Sequence, residues 1–192
     1  MRLFGQMMLY ALLGVFAQNL VFTRGVGSNR LLRLVKKPKD MGICCALITV
    51  FTLACALSSL PVQRLLAQNN AWQLYTVVYY VAVDCVLYGV AALLLKTVFR
   101  RWRGRVMPLL SSCAFNCVVL SVPLIGQQSA LSVEKLAGYS LGAGIGFFVA
   151  LLLVADAVSR LDNPDMAEGF LGLPSVFLYL GVLSMAFLGF AN

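Results

Sequence analysis

Apolar residues run along this chain in six stretches, each near the roughly 20 residues that an α-helix needs to cross a bilayer. They extend from Leu3 to Thr23, Met41 to Val62, Ala71 to Leu95, Val106 to Ile125, Leu136 to Val158 and Gly169 to Asn192. Charged or turn-forming segments separate them. The pattern predicts an all-α membrane protein of six transmembrane helices in a single transmembrane domain, residues 1–192. The first stretch is too long for a signal peptide, lacks a small-residue cleavage pattern and has only Arg2 as a basic flank, so it is expected to remain as a span. The loops are short and leave no aqueous domain for a nucleotide or a soluble cofactor. Any chemistry has to take place within or beside the bilayer.

Composition sharpens this picture. Hydrophobic residues make up 61% of the 192 and charged residues 11%, where soluble domains carry about half and about a quarter. The absence of histidine excludes a Ser-His-Asp triad and a His-ligated zinc. Six cysteines, Cys44, Cys45, Cys55, Cys85, Cys113 and Cys117, all fall in apolar stretches. A secreted disulfide framework is therefore not expected, and most should be small core residues. The net charge of +8 would suggest nucleic acid in a soluble protein, but here the bases first have to be read as topology.

Arg24, Arg30, Arg33, Lys36, Lys37 and Lys39 lie in the first loop, and Lys96, Arg100, Arg101, Arg103 and Arg105 in and beside the third. The second and fourth loops carry one base each, Arg64 and Lys135. The positive-inside rule puts the first and third loops in the cytoplasm and both termini outside. The bases are thereby accounted for without a nucleic-acid partner. Arg160, Asp162, Asp165 and Glu168 of the fifth loop do not oppose this orientation, because acids count little in the rule.

Polar residues inside the spans mark where function could reside. Ala17-Gln18-Asn19-Leu20-Val21-Phe22 and Ala114-Phe115-Asn116-Cys117-Val118-Val119 agree at three of six positions. The second and fifth spans each carry a Gly-Ile pair, Gly42-Ile43 and Gly144-Ile145. Two halves of three spans follow, about 1–100 and 101–192, and an odd number of spans per half makes the repeat inverted. Gln18 and Asn19, followed by Gly25, Gly27 and Ser28, and Asn116, followed by Ser121 and Pro123, should face protein or a wet cavity. They read either as broken helices meeting at a midplane site or as interhelical hydrogen-bonding glue. Asp84 sits centrally in the third span and is a candidate for an ion path. Asp156, four residues before Arg160, suits a structural ion pair. Gly138, Gly142, Gly146 and Ala150 form a small-residue stripe for close helix packing, and no strand precedes them to make a dinucleotide loop. Cys113 and Cys117 are at i,i+4 and so should share a helix face, where two thiolates could contribute to a metal site.

Several motifs, in order along the whole chain, resemble the Rnf/Nqr family of six-span membrane subunits, in the branch that holds the A-type subunits of Rnf and the E-type subunits of Nqr. Gln18-Asn19-Leu20-Val21-Phe22 is similar to the family's Asn-Asn-Phe-Val-Leu, and Gly27 and Lys36-Lys37 lead to Met41-Gly42 as they do there. Asn116-Cys117-Val118-Val119-Leu120 is similar to its Asn-Cys-Ala-Val-Leu. Arg160-Leu161 and the Pro164 to Pro174 stretch follow its fifth loop, and Ser184 to Phe190 its terminal Ser-Leu-Ala-Phe-Met-Gly-Phe.

The resemblance implies an inverted three-plus-three repeat with broken first and fourth helices in a bacterial cytoplasmic (inner) membrane. It also implies a homologous six-helix partner of opposite topology, other complex subunits, and an iron-sulfur cluster held between the pair. Such a complex moves electrons between soluble donors and acceptors, coupled to sodium or proton translocation. Each member of the pair supplies two cysteines, one in a Gly-x-Cys-Pro setting and one in the Asn-Cys motif. Cys117 matches the second. Asn29 occupies the first, within Gly27-Ser28-Asn29-Arg30, and an amide is a poor substitute for a thiolate on iron. A three-cysteine cluster, a cluster completed by Cys113, and no cluster are the alternatives.

Two functions follow as expectations. In the first, the chain is a membrane subunit of an ion-translocating electron-transport complex and not an enzyme alone. Cys117 is then the retained cluster position, and Gln18, Asn19, Gly27 and Asn116 shape the half-helix junction. In the second, it is a divergent paralogue that carries a small solute or ion without redox chemistry.

Overall fold

The computed structural model describes residues 2–35, 40–66, 75–97, 100, 103–129, 131–161 and 173–191. Among them the chain is all-helical: α1 Arg2–Val15, α2 Leu20–Arg24, α3 Ser28–Val35, α4 Met41–Leu66, α5 Thr76–Thr97, α6 Arg103–Ala114, α7 Cys117–Gln128, α8 Val133–Leu161 and α9 Leu173–Ala191. Three helices, α4, α5 and α8, are long and apolar enough to cross a membrane, and α6 with α7 makes a fourth such span if the bent pair is taken as one. Helices α1 and α9 are apolar but shorter.

The first and fourth expected spans are both interrupted. The first divides into α1 and α2 around residues 16–19, and the fourth divides into α6 and α7 with a bend of 42°. The basic stretch read as a plain loop after the first span contains helix α3. Its Leu31 and Leu34 are buried three residues apart, which is helical spacing. Arg30 and Arg33, before and between them in sequence, obscured that stripe.

Helix α8 is the centre of the bundle, in contact with α1, α2, α3, α4, α7 and α9. The glycine stripe makes this possible. A Cβ on Gly138 would collide with the Met7 carbonyl of α1, one on Gly142 with that of Ala11, and one on Gly146 would come within 2.9 Å of that of Gly14. The two backbones thus lie against each other, as small residues permit within membranes. Position numbers rise together along this seam, so α1 and α8 run parallel. Gly144, on another side of α8, faces Thr49 of α4, and Thr52 donates to the Ser140 carbonyl at 3.5 Å. Here numbers run in opposite senses, so α4 is antiparallel to α8.

The core between these helices contains Ile48, Phe51, Val118, Val122, Tyr139, Phe147 and Leu151. Helices α5 and α9 instead present long apolar faces outward, among them Val78, Val86, Leu93, Val182 and Met185, as lipid or a neighbouring membrane protein would require. The arginine of α6 closest to the bundle, Arg105, pairs with Asp40 at 3.6 Å. That contact places the starts of α4 and α6 at the same end of the molecule. Cys44 of α4 and Cys113 of α6 form a disulfide with a Cα separation of 6.0 Å, inside the usual range. Both are core residues, as expected of most of the cysteines, and the bond itself is what the sequence did not suggest: α4 and α6 pack closely enough to join them.

Candidate functional site

The two breaks are made by the same side chain at the same offset. Asn19 is in extended conformation, with φ −62° and ψ 115°, and caps α2 by accepting from the Val21 N–H at 3.1 Å. Asn116, with φ −95° and ψ 137°, caps α7 by accepting from the Val118 N–H at 3.3 Å. An asparagine oxygen meets one of the donors that every helix start leaves unpaired. Inside a bilayer, where no solvent substitutes, that need is acute. Sequence placed an amide at each break, and capping is the physical reason.

Beyond capping, the two amides differ. Asn19 Nδ2 donates to the Val15 carbonyl at 2.9 Å and to the Gly146 carbonyl at 3.0 Å, tying the end of α1, the start of α2 and α8 together. Asn116 Nδ2 is buried and has no hydrogen-bond partner. Gln18 departs from the inward orientation expected of it: it is exposed, because the turn at 16–18 carries it to the outside of the break while Asn19 takes the inner position.

Glycines bring the breaks together. Gly25 ends α2 in the left-handed region, at φ 65°, and its N–H donates to the Leu20 carbonyl. Gly27 follows at φ 82°. A Cβ there would lie 3.0 Å from Val118 Cγ2, 3.1 Å from Phe147 Cε2 and 3.2 Å from Asn116 Oδ1. The segment leaving the first break therefore rests on the cap of the second. Glycine serves both demands, since it tolerates positive φ and leaves room for the neighbour.

The cysteines divide by whether a thiol is free to bind iron. Cys117 opens α7, free and exposed. Cys113 is not beside it on one helix face, because α6 ends at Ala114 and the chain bends before α7 begins. Cys113 is buried and joined to Cys44, so it offers no free thiol. Asn29 belongs to the first turn of α3, and its side chain lies outside the described residues. No group of three or more His, Cys, Asp or Glu side chains that could hold a metal occurs among the described residues. One free thiol at the junction, with an amide at Asn29 where the resemblance leads one to expect a second cysteine, does not fit this chain's half of a four-thiolate cluster.

Asp84 is fully buried, at 0% exposure, and both its oxygens lack a hydrogen-bond partner. Asp156 takes the structural role expected of it, pairing with Arg160 at 2.9 Å on the exposed end of α8, where such a pair contributes little. Cys44, the buried Thr76 and Tyr80 on the same helix as Asp84, and Gln127, to which Tyr80 donates, were missed. Nothing in the sequence singles out Cys44. The spacing of Thr76, Tyr80 and Asp84 at i, i+4 and i+8 was legible.

Known proteins show where this architecture belongs. The family described as "Rnf-Nqr subunit, membrane protein" matches residues 7–192. The A-type subunit of an ion-translocating oxidoreductase complex from Alkalilimnicola ehrlichii is 32% identical over 154 residues, covering 79% of this chain and 78% of that one. Its counterpart in a proton-translocating ferredoxin:NAD(+) oxidoreductase complex from Clostridium ljungdahlii is 26% identical over 182 residues, 93% of this chain and 92% of its own. The E-type subunit of a Na(+)-translocating NADH-quinone reductase from Nitrosomonas europaea is 28% identical over 189 residues, 93% of each. Matched along nearly its full length by the family as a whole and by such relatives, the chain belongs to the Rnf-Nqr family of membrane proteins.

Proposed function

We propose that this chain is a membrane subunit of an Rnf/Nqr-type ion-translocating electron-transport complex in a bacterial inner membrane. The observation that carries the reading is family membership over residues 7–192, together with relatives named as subunits of ion-translocating oxidoreductase complexes. The solute-carrier alternative has no such support. None of these three relatives bears a carrier's name.

The finer architecture we propose is six spans in an inverted three-plus-three repeat, halves about 1–100 and 101–192, with both termini outside. Two features of the fold support it. Helix α1 runs parallel to α8, whereas α7 and α8 are joined by the short segment 129–132 and have Gly126 against Leu136, a hairpin arrangement. The first broken span therefore runs opposite to the second. The Arg105–Asp40 pair joins the starts of α4 and α6, each of which follows a basic segment in the sequence, in keeping with a shared cytoplasmic side. The outward apolar faces of α5 and α9 suit a homologous six-helix partner of opposite topology.

For the cofactor, our reading assigns Cys117 as the one position at which this chain meets a shared iron-sulfur centre. With an amide at Asn29, the remaining ligands of such a centre would come from partner subunits, as in a three-cysteine cluster. The functional reading is tested by tagging the chain at its genomic locus and purifying it in mild detergent. Copurification with flavin-bearing and ferredoxin-like subunits, and with NADH- or ferredoxin-dependent reductase activity, is expected. Purification alone, with no redox-active partner, would overturn it.

A further inference from the structure

Helix α5 exposes most of its apolar surface, and its three buried residues are all polar: Thr76, Tyr80 and Asp84. Polar groups turn away from lipid, and here the spacing of four residues puts the three of them in one file. The file spans about 12 Å at 1.5 Å per residue.

The elements around this file add oxygen atoms. Tyr80 donates to Gln127 Oε1 of α7 at 3.4 Å. Toward the end of α4, the Ser58 hydroxyl donates to the Cys55 carbonyl at 2.6 Å, and Tyr79 donates to the Ser58 carbonyl at 3.4 Å. The Cys55 thiol lies within electrostatic reach of the Asp84 carboxylate. On the other side of Asp84 the character changes. Leu87, Ala91, Ala92 and Leu95 pack against the core, and Tyr88 meets Phe115 with ring centroids 5.5 Å apart, at the break between α6 and α7.

We propose that Asp84 is the binding end of a one-sided path for a monovalent cation, lined by Thr76, Tyr80 and Gln127, that opens at the N-terminal end of α5. A buried carboxylate with neither oxygen hydrogen-bonded is costly unless something positive meets it. A sodium ion would find carboxylate, hydroxyl and amide oxygens, which are the hard ligands it requires. A proton would neutralise the same group. The apolar turn beyond Asp84 closes the path, and the Tyr88–Phe115 contact places that closure against the break that leads into Asn116 and Cys117. Tyr88, one helical turn beyond Asp84 on α5, is thus the residue that touches the half-helix junction, so movement of the break would be felt at the closure.

The neighbouring titratable groups are few. Cys55 of α4 is within electrostatic range of Asp84, and Tyr80 stands one turn before it on its own helix. Helix α7 has no acid or base between Val118 and Gln128, and the arginines of α6, Arg103 and Arg105, stand at its far end. Nothing described supplies a fixed positive charge to hold the carboxylate.

This inference deepens the ion-translocation reading, and it is tested by a measurement that does not depend on electron transfer. Native membranes containing the tagged full-length chain are treated with dicyclohexylcarbodiimide, which modifies buried protonated carboxyls, and Asp84 is followed by peptide mass spectrometry. Labelling of Asp84 is expected, with its rate reduced about tenfold by sodium at about ten times its Kd. If sodium, lithium and potassium leave the rate unchanged but it falls as pH rises, the cation is a proton and the site stands. Thr76→Val and Gln127→Leu should weaken the protection given by sodium several-fold while the chain still purifies as a folded monodisperse species. Asp84→Asn is the control that removes the signal. Labelling insensitive to every cation and to pH, or no labelling of Asp84, would overturn the proposal. Copurification and reductase activity are scored on the same membranes. A redox-active complex with an inert Asp84 defeats this inference alone, and a cation-protected Asp84 without redox partners defeats the functional reading alone.

Discussion

At the first break the Asn19 amide uses both its N–H donors and its oxygen on the protein: one bond caps α2 and two others reach the end of α1 and the middle of α8. At the second break Asn116 caps α7 and leaves Nδ2 buried and unmet, beside a free Cys117. The two carboxylate oxygens of Asp84 are the other unpartnered buried side-chain atoms found among the described residues, and Tyr88, one turn further along α5, touches this second break. Natural structures keep few such orphans, and those they keep tend to mark function. The first break therefore reads as a clamp. The second reads as the place where stability has been given up for chemistry or movement.

Replacing each asparagine is the most direct way to break this comparison. Asn19→Ala removes a cap worth about 1 kcal/mol and leaves the Val15 carbonyl without its donor, a buried loss of about 1 kcal/mol or more. With the Gly146 bond also gone, a total destabilisation of roughly 3 kcal/mol is expected. Asn116→Ala removes a cap but also removes the orphaned Nδ2, so about 1 kcal/mol or less is expected. Thermal unfolding of the purified chain in detergent compares them. Equal losses, or a larger one at Asn116, would remove the distinction between clamp and working break.

Glycine substitutions sharpen it further, because Gly25 and Gly27 share a positive φ and differ in surroundings. Gly25 has open space where its Cβ would be, so Gly25→Ala should cost only the left-handed penalty, about 1 kcal/mol. Gly27→Ala carries that penalty and also drives a methyl against Val118, Phe147 and the Asn116 oxygen. A total of about 2 kcal/mol is expected once overpacking is included. If the two alanine variants unfold at the same temperature, the contact between the breaks is not as close as described.

These contrasts also show what the sequence could reveal. The breaks were legible because an Asn inside an apolar stretch has few stable uses, and capping a half-helix is one of them. The α8 glycine stripe was legible for the same kind of reason: four-residue spacing of small residues has one common use in a membrane. What escaped reading was anything set by tertiary proximity. The i,i+4 spacing of Cys113 and Cys117 assumed an unbroken helix, although the Asn116 signal for a break lay between them. The Cys44–Cys113 bond links positions 69 apart on separate helices, and no local pattern encodes it. Helix α3 was hidden because its charges outweighed Leu31 and Leu34 in a hydropathy reading. Gln18 was placed inward on polarity alone, which does not tell one of two adjacent amides from the other.

Asp84 separates a structural role from a functional one through the sign of its effect. A carboxylate held in place for stability would be missed when removed. One with no partner should be relieved by a neutral isostere, as is common where function has been kept at the expense of stability. Asp84→Asn is expected to raise stability in sodium-free buffer by about 1 kcal/mol, and to abolish any stabilisation that added sodium gives the wild type. Destabilisation by the same change would show that Asp84 has a structural partner after all.

Cys117 should show the smallest effect on stability and so gives the cleanest view of function at the second break. Its thiol is free and exposed, so Cys117→Ser removes no packing within the chain, and a change within about 0.5 kcal/mol is expected. Alkylation of native protein should modify Cys117, whereas Cys44 and Cys113 should react only after reduction and unfolding, because they are buried and joined. In the assembled complex the expectation reverses. If the second break is where this chain meets the electron path, Cys117→Ser lowers electron-transfer activity and leaves the unfolding temperature unchanged, while Asn19→Ala lowers both through loss of folded protein. A Cys117→Ser complex with full activity would leave the second break without a redox role. The unmet groups on Asn116 and Asp84 would then belong to ion movement alone.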